Sequence, residues 1–527
     1  MAASREVEYV YRFSGGLNLT SQTQSLNEDE SPDCLNVDFG QRGGFVLRGG
    51  FQTQETDAKL ANARFVAGSH AKDDVLLIQS GTGDLLEWDG STLSDTGHDI
   101  TDDDDVRVRS ASFGSYTYFA NGYQTSSIVM TSWDGTTFRN PIPTLFNDDY
   151  LAPMPQGSGD VPTARFIAEH AGFLWVADTV ESSVRYPSRV RFSHEQNPEN
   201  WGTDDWFGVG DPSGSDPITS LVPFMDRLLV FKKDSVWQVL GYDRDTFILE
   251  RITNASGTCT CGAIAVNSGV AYWFSTDGQL MAFNGERVTV LSEPIRWWSD
   301  IGKIKHGGAH RLMWADGRLW LSLEATTGAT DSSGRVYTRW LFIWDPAVGA
   351  FTRYDREVTD LCWWSKSGED GDPLFLEGSG TDLFRYDRAY TKDIDSTGDV
   401  RIDGYYRTGW WRAGETATRK RWKRPRVTAA ADSQATVQVE SFYDFDDNTP
   451  RRSHEFVIQA PESLAYWGES DWGEADWSVG ADEYYKFARL GSSGTARAIS
   501  YKFSSPDNTG RWWVDSLAVP FRRKSVK

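Results

Sequence analysis

Short apolar runs, rich in aromatic and β-branched residues and separated by polar or glycine-containing turns, recur along most of the chain. Runs such as those at residues 75–78, 228–231, 271–274 and 340–343 are too short for stable helices. Aromatic and β-branched side chains fill the half-buried surfaces of pleated sheets. The pattern therefore predicts an all-β protein.

An aromatic residue followed by Asp-Gly or Asn-Gly closes several of these runs. Both residue types tolerate the positive φ of a type I′ turn, so these dipeptides predict β-hairpins. The three clear cases are Trp88-Asp89-Gly90, Trp133-Asp134-Gly135 and Phe283-Asn284-Gly285, with looser echoes at residues 241–243, 344–346 and 386–387.

The hairpins belong to units that recur about every 40–55 residues, a period typical of radial arrays of small antiparallel sheets. A unit of three or four strands cannot bury its apolar face alone, so neighbouring units must stack. The sequence therefore predicts a β-propeller of about seven blades, within a range of about six to eight. The predicted units are residues 65–100, 106–140, 164–201, 218–252, 262–298, 307–354 and 358–386.

Segments of a different character flank the repeats. Residues 1–64 are punctuated by glycines and predict an extended arm that lies over a neighbour, with a hairpin at residues 35–51. Residues 65–395 form the predicted propeller, and a polar bridge at 387–403 marks a domain boundary. The alternation within 396–527 predicts a β-sandwich-like domain.

Charge and composition exclude several classes of function. The chain has 527 residues, with 75 acidic residues against 53 Lys and Arg, for a formal net charge of −22. This balance disfavours a nonspecific nucleic-acid clamp, which needs a basic footprint. No apolar run is long enough to span a bilayer, and the first twelve residues lack an apolar secretion segment. We therefore expect synthesis in the cytosol without a cleaved export signal.

Residues that could carry chemistry do not form a recognisable catalytic or metal-binding pattern. Asp102, Asp103, Asp104 and Asp105 have the composition of an exposed loop rather than a calcium site. Residues 393–399 begin like an EF-hand loop, but Gly404 stands where the bidentate Glu is needed. The four cysteines lack zinc-site spacing. We predict no catalytic residue, metal or cofactor, and hence not an enzyme.

Two further segments are candidates for contacts with partners. Residues 419–426 hold six basic residues in eight positions, which indicates either a phosphate-facing strip or a strand that meets an acidic neighbouring subunit. The negative chain favours the second reading. Trp467, Trp472 and Trp477 lie on a Gly/Asp-rich loop and either stack on sugars, seat in the pockets of a partner or pack on the sandwich. The predicted inter-subunit contacts are Arg419, Lys420, Arg421, Lys423, Arg424, Trp467, Trp472 and Trp477.

Scattered phrases along nearly the whole chain resemble the β-propeller tail proteins of tailed bacteriophages, of the tail-nozzle, packaged-DNA-stabilisation or head-to-tail connector type. No catalytic motif accompanies the resemblance. The phrases are residues 13–18, 34–39, 43–50, 192–201, 276–278, 283–285 and 419–427.

The resemblance implies a structural virion protein that is assembled in the host cytoplasm and located in the tail, below the portal and adaptor ring. Several copies, commonly six, would surround the DNA exit channel, retain packaged DNA and conduct it during ejection without binding it specifically. Asp102 to Asp105 and the loop at residues 325–333 are the predicted gate or lumen loops. Two alternatives stay open: a host-recognition, baseplate or adhesin protein, and a glycan hydrolase, for which Glu195, Asp204 and Asp205 are candidate carboxylates that no sequence pattern pairs with a second one.

Overall fold

The computed structural model shows a protein built almost entirely of β-strands. Its helical segments are short: the 3₁₀ turns Ala58–Leu60 and Glu293–Ile295 and the helix α1 (Arg296–Asp300). No helix in the described part is long and apolar enough to cross a membrane. The structure describes residues 7–23, 25–40, 43–68, 74–101, 107–122, 130–139, 163–181, 184–202, 204–212, 214–252, 255–365, 371–377, 381–395, 397–414, 418–458, 484–490, 494–506 and 510–523.

Seven short strands precede the repeats. Two of them, Gly16–Leu17 and Glu30–Ser31, form a small parallel sheet, and each of the others pairs with a strand described below or with a close neighbour. These strands are β1 (Val7–Tyr11), β2 (Gly16–Leu17), β3 (Glu30–Ser31), β4 (Asp33–Leu35), β5 (Val37–Phe39), β6 (Phe45–Leu47) and β7 (Gly50–Thr56).

Six four-stranded antiparallel meanders follow in chain order, and these are the first six blades. The first blade is β8 (Arg64–Gly68), β9 (Leu76–Gln79), β10 (Asp84–Trp88) and β11 (Leu93–Asp99), and the second is β12 (Arg109–Phe113), β13 (Tyr116–Ala120), β14 (Thr131–Trp133) and β15 (Phe138–Arg139). The third is β16 (Thr163–His170), β17 (Phe173–Glu181), β18 (Val184–Phe192) and β19 (Trp206–Gly208), and the fourth is β20 (Ile218–Phe224), β21 (Arg227–Lys232), β22 (Val236–Leu240) and β23 (Ile248–Ile252). The fifth is β24 (Ile264–Asn267), β25 (Val270–Phe274), β26 (Leu280–Phe283) and β27 (Val288–Val290), and the sixth is β28 (Arg311–Ala315), β29 (Arg318–Glu324), β30 (Arg339–Asp345) and β31 (Ala350–Tyr354).

The seventh blade takes its fourth strand from the amino-terminal region. Strands β32 (Val358–Trp364), β33 (Asp372–Glu377) and β34 (Asp382–Asp387) are consecutive, and β7 then pairs antiparallel with β34. The first strand of this blade, β32, lies against β8 of the first blade and closes the ring. The structure is therefore a seven-bladed β-propeller, and the predicted fold class is confirmed.

Side chains from facing blades build the core of the ring. Aromatic rings concentrate between the sixth and seventh blades, where Phe51 of β7 lies 5.3 Å from Phe375 and 5.1 Å from Tyr386, measured between ring centroids. Trp320 of β29 is fully buried among the same rings. Each such side chain stabilises the fold by about 1.5–3 kcal/mol through burial.

The aromatic-Asp-Gly segments form turns, but of a different type from the prediction. In the first, second and fifth blades they connect the third strand to the fourth through four-residue loops, not two-residue type I′ turns. The side chains of Asp89, Asp134 and Asn284 accept hydrogen bonds from backbone N–H groups two and three residues ahead. This Asx geometry satisfies the loop's own donors, which explains the longer connection.

The carboxy-terminal region is a two-sheet sandwich, as predicted. One sheet has the order β4-β37-β44-β40-β41; in the other the long β45 has β39 and β38 on one side and β1 and β6 on the other, with β42 and β43 outside β39 and β38. The strands are β37 (Tyr405–Arg407), β38 (Lys420–Trp422), β39 (Arg426–Ala431), β40 (Ala435–Tyr443), β41 (Arg452–Ile458), β42 (Tyr484–Arg489), β43 (Gly494–Ala496), β44 (Ile499–Ser504) and β45 (Trp512–Arg523), with β35 (Asp393–Asp395) and β36 (Gly398–Val400) in the connection.

The amino-terminal region, predicted as an extended arm, is extended but lies on its own chain. Strands β1 and β6 pair with β45, and β4 pairs with β37. Phe13 is fully buried, and the ring of Phe45 stacks on Tyr406 at 4.7 Å. These apolar side chains need a core, and the two sandwich sheets offer unpaired edges to the strands that carry them. The predicted boundary at residue 65 also leaves β7 apart from the blade that it completes.

Buried ion pairs hold the propeller, the amino-terminal strands and the connection together. Arg48 is fully buried and donates to both carboxylate oxygens of Asp393, at 2.7 and 2.8 Å. Arg356 and the N–H of Phe51 donate to the same carboxylate. Burial raises the pKa of Asp393, but Arg48 and Arg356 outweigh it and lower that pKa to about 2. Asp393 is therefore ionised at neutral pH.

Candidate interaction surface

The predicted basic segment is an alternating strand on the surface of the sandwich. Side chains of a strand point alternately to its two faces, so β38 has an inner and an outer face. Trp422 faces inward, fully buried, and packs against Trp411 at 5.2 Å and Phe521 at 5.4 Å between ring centroids. Arg421 faces outward and is exposed. This packing fixes which basic residues face solvent.

The outward basic residues continue onto the neighbouring strand β45. Arg421 lies directly opposite Arg522 in the ladder between β38 and β45, and both are exposed. Two like charges directly opposite each other repel and weaken a strand pair. We call five exposed arginines on or next to the paired ends of β38 and β45 the basic strip: Arg419, Arg421, Arg424, Arg522 and Arg523.

Lys420 does not belong to the basic strip. The sequence predicts it as an inter-subunit contact, but its side chain is buried within the subunit. The residue is fully buried, and its ammonium group donates to the carbonyl of Arg497. Lys420 faces the same side as Trp422 because the two are separated by one residue of the strand. Lys423 is half-buried, beside the exposed Arg424.

Within the described ranges, no ion pair joins Arg419, Arg421 or Arg424 to a carboxylate. The strip therefore presents positive charge on a chain whose net charge is −22. Such a surface can bind an acidic protein surface or phosphate groups. The sequence prediction missed Arg522 and Arg523, although two adjacent arginines at the end of an alternating strand were a usable signal.

Several predicted site residues fall outside the described residues, and the predictions for them stay predictions. They are Asp102, Asp103, Asp104 and Asp105 of the predicted gate and Trp467, Trp472 and Trp477 of the predicted contact loop.

The second predicted gate loop, residues 325–333, is tied to the amino-terminal region. Asp331 is buried and accepts a hydrogen bond from Arg353 at 3.3 Å. Ser332 donates to Asp33 of β4 at 2.5 Å. Asp331 thus ties the end of the loop to β31 of the sixth blade and Ser332 ties it to β4 of the sandwich, while Thr326 and Gly328 stay exposed.

The carboxylates considered for a hydrolase differ in their surroundings. Asp205 is buried, and Arg244 lies 2.6 Å from it. Glu195 and Asp204 are exposed. A cavity of about 360 Å³ lies beside Glu195 and Asp205, with Arg244 also in its wall. Asp205 is thus engaged by a guanidinium group, whereas Glu195 and Asp204 face solvent.

The carboxylates that begin the EF-hand-like segment are also engaged in the structure. Asp393 is held by Arg48, Arg356 and a backbone N–H, as described above, and Asp395 accepts from Thr397. Across the described ranges, no group of three or more His, Cys, Asp or Glu side chains could hold a metal ion.

Fold and surface together define a seven-bladed β-propeller fused to a β-sandwich that carries a basic strip. No protein-family model and no curated protein matches the chain. Among solved structures, BBS1N in a complex with ARL6DN, from a lead-soaked crystal, has a TM-score of 0.39 and 13% identity over 65% of this chain and 99% of that one. BamB from Moraxella catarrhalis has a TM-score of 0.34 and 11% identity over 73% and 99%. A chain of the mitotic checkpoint complex has a TM-score of 0.35 and 11% identity over 72% and 94%. Because these TM-scores and identities are low, the assignment to the propeller class rests on the strand pairing of this structure and not on the comparisons.

Proposed function

We propose that this protein is a structural component of a bacteriophage tail: a nozzle subunit that forms a ring around the DNA exit channel below the portal and adaptor. The observation that carries the proposal is the basic strip, a patch of exposed like charges on a strongly acidic chain. The resemblance of the sequence to phage tail proteins supports the same function.

The basic strip suits a contact between copies of this chain. A closed ring needs two different surfaces on each subunit, one of which meets the other on the next copy. With 75 acidic residues against 53 Lys and Arg, the remaining surface of each copy is acidic on balance. The positive surface of one copy can therefore meet a negative surface of the next copy, which gives the head-to-tail contact that a closed ring needs.

The construction of the monomer also suits a ring subunit. The amino-terminal strands pair with the sandwich and also complete the seventh blade, so the two parts are joined by strand pairing as well as by the connecting chain. A subunit built in this way holds its two ring-forming surfaces in a fixed orientation relative to each other. In the proposed ring of six copies, acidic surface toward the lumen lets DNA pass without adhering.

The proposal is tested by the assembly state of charge-reversed variants. We expect the purified protein to form rings in low salt, seen by negative-stain microscopy and light scattering. Arg421→Glu with Arg424→Glu should give monomers, because each substitution turns attraction across the contact into repulsion. High salt should weaken the wild-type rings by screening the same charges.

The matched control places the same charge change elsewhere on the surface. Arg251→Glu with Arg287→Glu alters two exposed arginines near the outer strands of the fourth and fifth blades and should keep the rings. A wild-type protein that stays monomeric at low salt, or rings that survive the change at Arg421 and Arg424, would contradict the proposal. A monomer that cleaves host polysaccharide and loses that activity with Glu195→Gln would support the hydrolase alternative.

A further inference from the structure

A second concentration of positive charge lies inside the propeller, at one end of its channel. The first strand of each blade runs in the same direction, so the starts of these strands meet at the same end of the ring. Arg64, Arg109 and Arg311 are the first residues of β8, β12 and β28, and Arg165 is the third residue of β16. Arginines from four blades therefore lie at the same end of the channel.

These arginines surround a cavity of about 380 Å³, within the range of roughly 300–1,000 Å³ typical of small-molecule sites. Five basic side chains line it, and among the described residues of its wall none is acidic. The basic residues are Arg64, Arg107, Arg165, Lys233 and Arg311. An adjoining cavity of about 560 Å³ continues past Arg109 and Cys261 along the channel and has Glu169 in its wall.

The buried carboxylate next to the cavity offsets only part of this charge. Asp360 accepts from Arg107 at 2.7 Å, lies 3.4 Å from Arg311 and accepts from the N–H of Phe65 at 2.8 Å. Burial lowers the pKa of the Arg311 guanidinium, and the charge of Arg107 lowers it further. One carboxylate thus faces two arginines, Arg107 and Arg311, in the wall of the cavity.

Cys261 shows the effect of this charge on a neighbouring group. Its thiol accepts from Nε of Arg109 at 2.9 Å. Burial raises the pKa of the thiol, but Arg109, Arg107 and Arg311 outweigh it, so the pKa of Cys261 lies below its usual value. A site that favours a thiolate favours other anions as well.

We propose that this cavity is a binding site for a small, multiply charged oxyanion, of the chemical class of pyrophosphate or the phosphate chain of a nucleotide. Guanidinium groups bind phosphate oxygens in pairs of hydrogen bonds, and several arginines on different blades can hold a ligand with more than one phosphate group. The site is independent of the basic strip and needs no ring, so it goes beyond the proposed function.

Binding of inorganic pyrophosphate to the purified full-length chain tests this proposal. We expect saturable binding by calorimetry, a rise in the unfolding temperature and slower alkylation of Cys261 by iodoacetamide, followed by peptide mass spectrometry. Adenosine triphosphate and adenosine as parallel probes distinguish recognition of the phosphates from recognition of a nucleoside. Adenosine alone should not bind.

The diagnostic variant is Arg165→Gln with Lys233→Gln, because both side chains are exposed and their loss leaves the buried pair at Asp360 intact. Affinity for pyrophosphate should fall about tenfold or more, as two charge-assisted contacts are lost. Arg251→Gln with Arg287→Gln removes the same charge elsewhere and should bind like the wild type. No saturable binding by the wild type, or equal binding by both double variants, would overturn the proposal.

Discussion

At the scale of single residues, His310 shows how burial sets protonation. The side chain is 2% exposed, its Nδ1 accepts from the N–H of Glu324 at 3.1 Å, and its ring lies 4.7 Å from that of Phe274. Burial, with the nearby charge of Arg339, lowers the pKa of His310 from 6.5 to about 3. The folded protein therefore keeps this imidazole neutral.

This gives a pH dependence of a definite sign. Between pH 6.5 and about 3 the unfolded chain binds a proton at His310 that the folded chain does not, so stability falls as pH falls through that window. Its contribution to the slope is at most about 1.4 kcal/mol per pH unit. His310→Asn keeps an acceptor near the Nδ1 position and should flatten the dependence of the unfolding free energy on pH, measured with urea. His98→Asn, at an exposed histidine, is the control, and an equal effect of both variants on the slope would contradict this account.

At the scale of elements, the turn between the third and fourth strands recurs from blade to blade. Gly90, Gly135 and Gly285 occupy the same place in three blades and have φ of +95°, +96° and +92°. The sixth blade keeps the capping carboxylate in this turn, where Asp345 accepts from the N–H of Ala347; Asp387 likewise accepts from that of Ala389 at the end of the third strand of the seventh blade. The carboxylate or amide shapes the loop, and the glycine allows the positive φ.

Gly285→Val should therefore lower stability through backbone strain alone. A Cβ at this position would meet its nearest heavy atom outside the adjacent residues, the sulfur of Met225, at 3.8 Å, so space is not the obstacle. A branched residue at this φ costs about 1–3 kcal/mol, which thermal or urea unfolding can measure. Glu286→Val, at the next exposed position of the same loop, is the control and should have a smaller effect. Equal stability of Gly285→Val and wild type would argue against the strain.

At the scale of the whole molecule, closure of the ring depends on a strand far away in sequence. Strand β7 pairs with β34 on one side and, at a single position, with β35 on the other. Arg48, two residues before β7, is paired with Asp393 at the start of β35. The last blade is thus held by strand pairing and by the buried carboxylate of Asp393 with its two arginines, Arg48 and Arg356.

Asp393→Asn should loosen this closure. The substitution leaves the guanidinium of Arg48 buried with a weaker partner, and breaking a buried pair in this way costs about 3–5 kcal/mol. The expected result is a lower midpoint of urea unfolding at neutral pH. Asp399→Asn, which removes an exposed pair with Lys392, should change the midpoint little. Similar effects of the two variants would mean that Asp393 has no special part in closure.

Local pattern determined the strands, the seven repeated units, the turns between third and fourth strands and the change of domain after the propeller. Each depends on residues close in sequence: alternation sets the faces of a strand, and Asp or Asn with Gly sets a loop. The predicted third unit ended at residue 201, short of β19 (Trp206–Gly208), because that strand is brief and largely exposed and has no apolar run to mark it.

Only the tertiary structure decided which strands pair across long separations. That β7 completes the last blade, that β1, β4 and β6 join the sandwich, and that arginines of four blades meet at one channel end all depend on pairing between distant segments. It also placed Lys420 inside and Arg421 outside, since the packing of Trp422 chooses between two faces that the alternation alone leaves equivalent. The physical reason is that burial and ring closure are properties of the assembled sheets, whereas sequence pattern reports on one strand or turn at a time.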